Sequence, residues 1–242
     1  MRSAKSFTYG AALIDGFLET SHPLQVPRGR MRSPWGRPRA ERSDAILWAS
    51  AARQLHVRPD GSIVQRHRLA VLATDVVGYS RLIELDDLAT VCRLRRLRQQ
   101  LLTPLAASYG GRIIRIAGDG ALMAFECACR AVECAVAIQL TVATLDGQTP
   151  AEQPLRLRIG ISFDDAIEDD GDLHGCGVNL AARLEADAEP GGILICGAVF
   201  EQIVGRVAVR CAALGERRFK NISRPVSVYS VDLKGEPEAL QV

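Results

Sequence analysis

From residue 68 onward, short apolar runs alternate with segments in which apolar residues recur three and four apart, and each pattern predicts an element. Residues 68–74 read as a strand, an apolar stretch from Leu69 to Ala73 that stops at Asp75 and opens into a glycine-containing turn, Asp75 to Ser80. Leu94, Leu97, Leu101 and Leu105 then recur at helical spacing, with Arg95, Arg96, Arg98 and Gln99 on the other faces as a solvated charge run. Pro104 is expected to kink or shorten that helix, and Gly110-Gly111 to end it. Residues 112–117 and 121–125 read as two strands joined through Gly118-Asp119-Gly120, a hairpin with Asp119 at its tip. Val132, Val136 and Leu140 place a second amphipathic helix over residues 128–145. Leu155, Leu157, Ile159 and Ile161 alternate with Arg156, Arg158, Gly160 and Ser162, the period of a half-buried strand.

The order strand, helix, strand, strand, helix, strand is the split unit of an α+β, ferredoxin-like (βαββαβ) sandwich. Short helices at 178–186 and 198–204 and strands at 192–196, 207–212, 216–220 and 226–231 extend it toward the C-terminus. This predicts a domain over residues 67–233 and a tail over 234–242. Residues 1–66 differ in kind: Pro, Gly, Ser and Arg dominate 23–43, with too little apolar surface to offset chain entropy. They read as a basic, largely disordered extension with a short helix at 45–55 and a Pro59-Asp60-Gly61 hairpin turn. That extension reads either as a mobile leader, with Met31 as an alternative start, or as an arm for acidic partners.

An apolar fraction of 48% with 24% charged residues and a net charge of +2 fits a soluble domain with a sizeable core and no nucleic-acid partner. The seven cysteines include no C-x-x-C pair and histidine is scarce, so neither a disulfide framework nor a zinc site is indicated, which fits a cytoplasmic protein. No run reaches the length of a membrane span, and Asp15 and Glu19 interrupt the one candidate leader. Gly175-Cys176-Gly177 lacks a third glycine, no Walker A sequence occurs, and the acidic run 164–172 fails the spacing of a calcium loop.

Two carboxylates carry the candidate chemistry. If the strand ending at Asp75 neighbours the hairpin tipped by Asp119, the two converge at one sheet edge. Paired hard oxygen ligands suit Mg2+ or Mn2+, which share substrate phosphates. The amides of Val77, Gly78, Tyr79 and Ser80, leading into a helix, form a candidate anion nest. Taken singly, an Asp closing a strand is more often a turn former or helix cap, and a lone Gly-Asp-Gly more often a hairpin turn than a metal site.

With these acids, their spacing and the segment Asp172-Leu173-His174-Gly175-Cys176-Gly177-Val178-Asn179-Leu180-Ala181-Ala182-Arg183-Leu184 in view, the chain from Arg68 to Leu233 resembles the class III nucleotidyl cyclases, bacterial branch. The resemblance implies that Asp75, Asp119 and the carbonyl of Val76 bind two divalent ions per site. It implies that Asn179 orients the ribose and Arg183 stabilises charge on the α-phosphate. Asn179 as a helix cap and Arg183 paired with Glu185 are the structural alternatives. Lys220 matches a lysine that contacts the terminal phosphates. Asp172 matches the acceptor for the adenine amino group. Arg115 stands where the family carries an adenine-contacting lysine, a longer and planar replacement. Asp164 replaces a glycine of the family's Gly-Ile-x-x-Gly segment, adding charge near the site. The implied protein is an adenylate cyclase acting on ATP in a head-to-tail homodimer with composite sites. The alternatives are a guanylate cyclase, or a nucleotide-binding module without turnover.

Overall fold

The computed structural model describes residues 54–57, 63–146 and 154–233. The expected disordered extension up to residue 53, the Pro59-Asp60-Gly61 turn, Met31 and the tail 234–242 lie outside the described residues. Strand β1, Gln54–Val57, pairs antiparallel with β2, Ile63–Val76, so Gln54 and Leu55 are strand rather than the end of a helix. The ladder therefore begins ahead of residue 67.

After β2 come α1 (Tyr79–Leu85) and α2 (Asp87–Arg96), the latter capped by the Asp86 carboxylate, which accepts from the Ala89 amide at 2.9 Å. The helix then widens into a π segment over Leu97–Leu102 before α3, Thr103–Ser108. Pro104 in the first turn of α3 is the physical reason. Its ring excludes the ordinary carbonyl partner one turn back, and the wider turn relieves the clash, with the Thr103 amide reaching the Arg98 carbonyl instead.

Strands β3 (Gly111–Ala117) and β4 (Gly120–Phe125) form the expected hairpin, followed by α4 (Ala128–Asp146). Strand β5, Leu157–Asp169, runs well past the alternating stretch that ends at Ser162. The acidic run is strand because β2 pairs with it out to Gln65 opposite Glu168. It turns back at Asp170-Gly171, both with positive φ, into the short β6, Asp172–His174. Then follow α5 (Cys176–Asp187), β7 (Ile193–Cys196), α6 (Gly197–Ile203), β8 (Arg210–Arg217) and β9 (Val226–Asp232). The two strands expected at 207–212 and 216–220 are one, β8. A bulge at Gly215, φ 82°, lets it stay in register with β9.

The sheet order is β3-β4-β2-β5-β7-β9-β8, antiparallel except for β5 against β7. The main core buries Leu72, Met123, Phe125, Ile138, Ile159 and Ile161 between one face of the sheet and α4. The other face carries a smaller cluster, Leu69, Val71, Ala73, Leu122, Ala166 and Leu173, closed by Ala181 of α5. Alternate residues of β5 face α5, and Gly160 is where the helix touches the sheet. A Cβ there would stand 2.1 Å from the Glu185 nitrogen and 2.3 Å from the Ala181 carbonyl oxygen. No helix among the described residues is long and apolar enough to cross a membrane.

All seven cysteines are free thiols. Cys127, exposed just ahead of α4, is pulled down to about 6 by the neighbouring Cys129, with further help from the Cys129 and Arg130 amides. It is expected to be largely thiolate at pH 7 and to alkylate with iodoacetamide at pH 6.5 ahead of the buried Cys134 and Cys196, whose thiols burial pushes up. Peptide mapping after a brief alkylation checks this order.

Candidate active site

Two strand ends build the centre. Asp75 is the penultimate residue of β2, and Asp119 sits in the β3–β4 turn. Pairing of Thr74 with Ala121 lays that turn beside the end of β2. Gly120 makes the approach possible. A Cβ there would stand 3.1 Å from the Thr74 carbonyl oxygen and 3.6 Å from Asp75 Oδ1. Arg98 donates to the carbonyl of Gly118 and so holds the turn from the helical side. It is more than part of a solvated charge run.

The two carboxyls face each other. Burial, then the charge of Asp119 and a hydrogen bond with it, raises Asp75 to about 6, against smaller pulls from the Val76 amide and Arg158. Two carboxylates that face each other in a partly desolvated place repel when ionised, and a divalent ion bound between them would remove that repulsion. Oxygen-only donors on rigid backbone fit Mg2+ or Mn2+. Val76 follows on the same strand end, buried and in register with Leu157.

Two further residues close this centre, and sequence reasoning missed both roles. Arg158 lies directly opposite Asp75 on β5. Glu185, on the inner side of α5, is raised to about 7, by burial first and then by the charge of Asp75, with Arg158 opposing and Asp119 adding. The alternation of β5 already put Arg158 on the face of Gly160. The inward direction of Glu185 was also readable, next to Leu184 and Ala181 on a helical wheel. Their convergence on Asp75 was not.

The turn after β2 differs in one respect from the anticipated nest. The Val77 amide donates to the Arg156 carbonyl at 2.9 Å, so the sheet occupies it. Gly78, at φ 67°, breaks the strand and opens α1, and the amides of Gly78, Tyr79 and Ser80 begin the helix.

Arg115 and Asp172 are brought together, Nη1 to Oδ2 at 2.7 Å, although they lie on β3 and β6. A bulge between Ile113 and Arg115 sets the direction of the arginine. A second bridge, Arg112 to Glu168 at 2.8 Å, ties the same two parts of the chain. Asn179 and Arg183 project from the exposed side of α5. Asn179 does not cap the helix, because α5 begins at Cys176 with Gly175 as its cap. Arg183 and Glu185, two residues apart on a helix, face opposite sides, which disfavours their pairing. Lys220 is exposed in the turn after β8, not on a strand. Asp164 turns its carboxylate to the Asp165 amide at 2.8 Å, and its Cβ lies 3.0 Å from where a Cβ of Gly177 would be, against the first turn of α5.

Within one chain, then, the candidate residues fall into two groups. Asp75 and Asp119 gather with Arg158 and Glu185, while Asp172, Asn179 and Arg183 line the run from β6 into the outer side of α5, with Arg115 of β3 bridged to Asp172.

An α+β sheet of this order, with facing acids at one end of its strands, is the architecture of a nucleotide cyclase domain. The chain belongs to the adenylate and guanylate cyclase catalytic domain family, whose profile matches residues 63–231. The crystal structure of an adenylate/guanylate cyclase/hydrolase from Silicibacter pomeroyi superposes with a TM-score of 0.66 at 38% identity, covering 69% of this chain and 98% of that one. The adenylyl cyclase CyaB from P. aeruginosa gives 0.65 at 28% identity, over 73% and 99% of the two chains. The Rhizobium meliloti protein named "Putative adenylate cyclase 3" is 40% identical over 167 residues, 69% of this chain. The present chain spans only 28% of that relative's length.

Proposed function

We propose that this domain is an adenylate cyclase, converting ATP to 3′,5′-cyclic AMP and pyrophosphate with Mg2+ or Mn2+. The observation that carries the reading is the facing pair Asp75 and Asp119 at adjacent strand ends, where burial and the neighbouring carboxylate raise Asp75. Asp75, Asp119 and the Val76 carbonyl would hold two ions. The chemistry such ions supply is a lowered pKa of the ribose 3′-hydroxyl and neutralisation of the triphosphate as pyrophosphate leaves.

The remaining roles fall to the chain's own side chains. Arg183 would balance charge on the α-phosphate, and Asn179 would hold the ribose so that the 3′-oxygen lies in line with the leaving oxygen. Lys220 and the amides of Gly78, Tyr79 and Ser80 would steady the terminal phosphates. Asp172 accepts from the adenine amino group, and Arg115 donates to adenine N1, where guanine presents an N–H. Asn179 and Arg183 stand on the outer side of α5, away from the acids of their own chain. That separation supports a head-to-tail homodimer in which each site draws its acids from one protomer and its base, ribose and α-phosphate contacts from the other. Several names among similar proteins, including that of CyaB, specify the adenylyl reaction, and this supports the choice of ATP.

Assay of the purified dimer with Mn2+ and either ATP or GTP tests the reading. Cyclic AMP formation should exceed cyclic GTP-derived product by about tenfold or more in kcat/KM, as a site built on matched hydrogen bonds allows. A preference for GTP, or no cyclic product from a confirmed dimer, overturns it.

A further inference from the structure

Asp172 is the proposed acceptor for the base, yet it stands on β6, a strand of three residues reached through the turn at Asp170-Gly171. Whatever holds the β5–β6 hairpin therefore sets where its carboxylate lies. The Arg115 bridge is one tie, and Glu168 supplies another. Glu168 pairs across the hairpin with Leu173, the neighbour of Asp172. Its Oε2 accepts from Arg112 Nη2 at 2.8 Å and lies 3.4 Å from His67 Nε2. A regular strand sends residues three apart to opposite faces. The bulge between Ile113 and Arg115 restores the phase: Arg112 opposes Ala124 and Arg115 opposes Leu122, both members of the cluster under α5. Both arginines thus reach toward the hairpin from one side of the sheet.

The corner between Arg112 and Glu168 is loosely filled. The β2–β4 ladder stops at Ala70 opposite Phe125, short of Gln65, the partner of Glu168. A cavity of about 400 Å3 opens there, lined by His67, Leu69, Arg112, Ala124, Glu126 and Glu168. Side chains that border such a space lack close contacts on one side, so polar ties rather than packing fix them. The His67 side chain is 9% exposed, and its Nε2 has no hydrogen-bond partner among the described residues, so it walls the cavity without drawing the carboxylate away from Arg112.

We infer that Arg112 and Glu168 pin the β5–β6 hairpin to β3 and so fix Asp172 against Arg115, which sets how strictly the base is chosen. This rests on the reading of Arg115 and Asp172 as base contacts. With the pin in place the two contact groups keep one spacing, and a purine edge must match both. With the pin drawn, the short β6 shifts against β3, and a mismatched edge is tolerated. Arg112 and Glu168 are positioning residues: they act through Asp172 and touch no substrate. They also stand apart from the acids of their own chain. Glu168 is ten positions along β5 from Arg158, the register partner of Asp75, which is roughly 30 Å of strand.

The test is steady-state kinetics of the full-length dimer with Mn2+ and either ATP or GTP. Glu168→Gln and Arg112→Met should each lower the preference for ATP in kcat/KM by about fivefold, the upper range for a half-exposed ion pair. The loss should lie in a higher KM for ATP, with kcat at saturating ATP within about twofold of the natural protein. Arg112→Lys keeps the charge and should recover at least half of the lost preference on a logarithmic scale. General damage would lower kcat for both nucleotides alike, leave the preference where it was and show no recovery in Arg112→Lys; that outcome overturns the inference. So does an unchanged preference in Glu168→Gln while Asp172→Asn loses it, in which case the base contacts stand and only the pin falls. If Asp172→Asn keeps the natural preference, the base-contact reading fails and the inference fails with it.

Discussion

Alanine in place of Asp75 or Asp119 is expected to reduce cyclic nucleotide formation by about 1000-fold or more, equivalent to about 4 kcal/mol of transition-state stabilisation. In the proposed metal site each acid would be half of a two-oxygen grip, and a single carboxylate would neither align nor retain an ion well. The same replacement should leave the fold intact or firmer. Asp75 is raised to about 6 because burial and its neighbour oppose ionisation, so removal of either acid relieves an unfavourable contact. Melting of the metal-stripped variants should therefore match or exceed that of the natural protein, while their rates collapse. Loss of rate accompanied by loss of fold would point to a structural role instead. Mixing supplies the second half of the measurement. Asp75→Ala and Arg183→Ala are each expected to be inactive, but co-assembled in equal amounts they should recover about a quarter of the natural rate. In a head-to-tail pair, half the dimers are mixed and each of those keeps one intact site of two. A mixture that stays silent, with exchange of protomers verified, removes the composite-site arrangement.

Gly160→Ala is expected to have the other large effect, on fold and rate together. The added methyl would meet the Glu185 nitrogen at 2.1 Å and the Ala181 carbonyl oxygen at 2.3 Å, atoms of backbone that no rotamer change can move. Helix α5 must lift or slide, at a cost of about 1–3 kcal/mol by the usual penalty for overfilling a packed contact. Asn179, Arg183 and Glu185 all ride on α5, so a lower denaturation midpoint should come with a fall in kcat. Gly118→Ala is the useful comparison. A Cβ there meets nothing within 4 Å, and the strain lies only in its φ of 58°, worth about 1–2 kcal/mol. If Gly160→Ala proves no more costly than Gly118→Ala, α5 does not press on the sheet as described.

Much of this was legible in the chain because the relevant signals are local. Apolar alternation found the faces of β5, helical spacing placed Asn179 and Arg183 on one side of α5, and paired glycines marked the turn that carries Asp119. These patterns are set by residues a few positions apart, where sequence periodicity and geometry coincide. The losses were of another kind. Nothing within residues 94–105 marks Arg98 out from Arg95 or Arg96, yet Arg98 reaches Gly118, twenty positions on. The acidic run 164–169 looks like a loop until β2 is known to pair with it, since cross-strand partners rather than propensity hold it extended. Lys220 was placed on a strand because the Gly215 bulge, which merges two short runs into β8, has no signature beyond a glycine. Glu185 looked like a partner for Arg183 because they are near in sequence. Helix rotation sets them on opposite sides.

With Arg115 and Asp172 in the base-contacting roles proposed above, the bridge between them would govern how a purine is admitted. Both groups are already engaged with each other at 2.7 Å, half exposed to water. A base entering between them exchanges contacts rather than adding them, and the net gain is only the margin by which its edge outdoes an existing ion pair. A ring that satisfies the acid but not the arginine, or the reverse, strands a charge and is rejected on that account. On the proposed role of this pair, discrimination would come from the expense of opening a closed clasp, and a loose fit would be refused before catalysis begins.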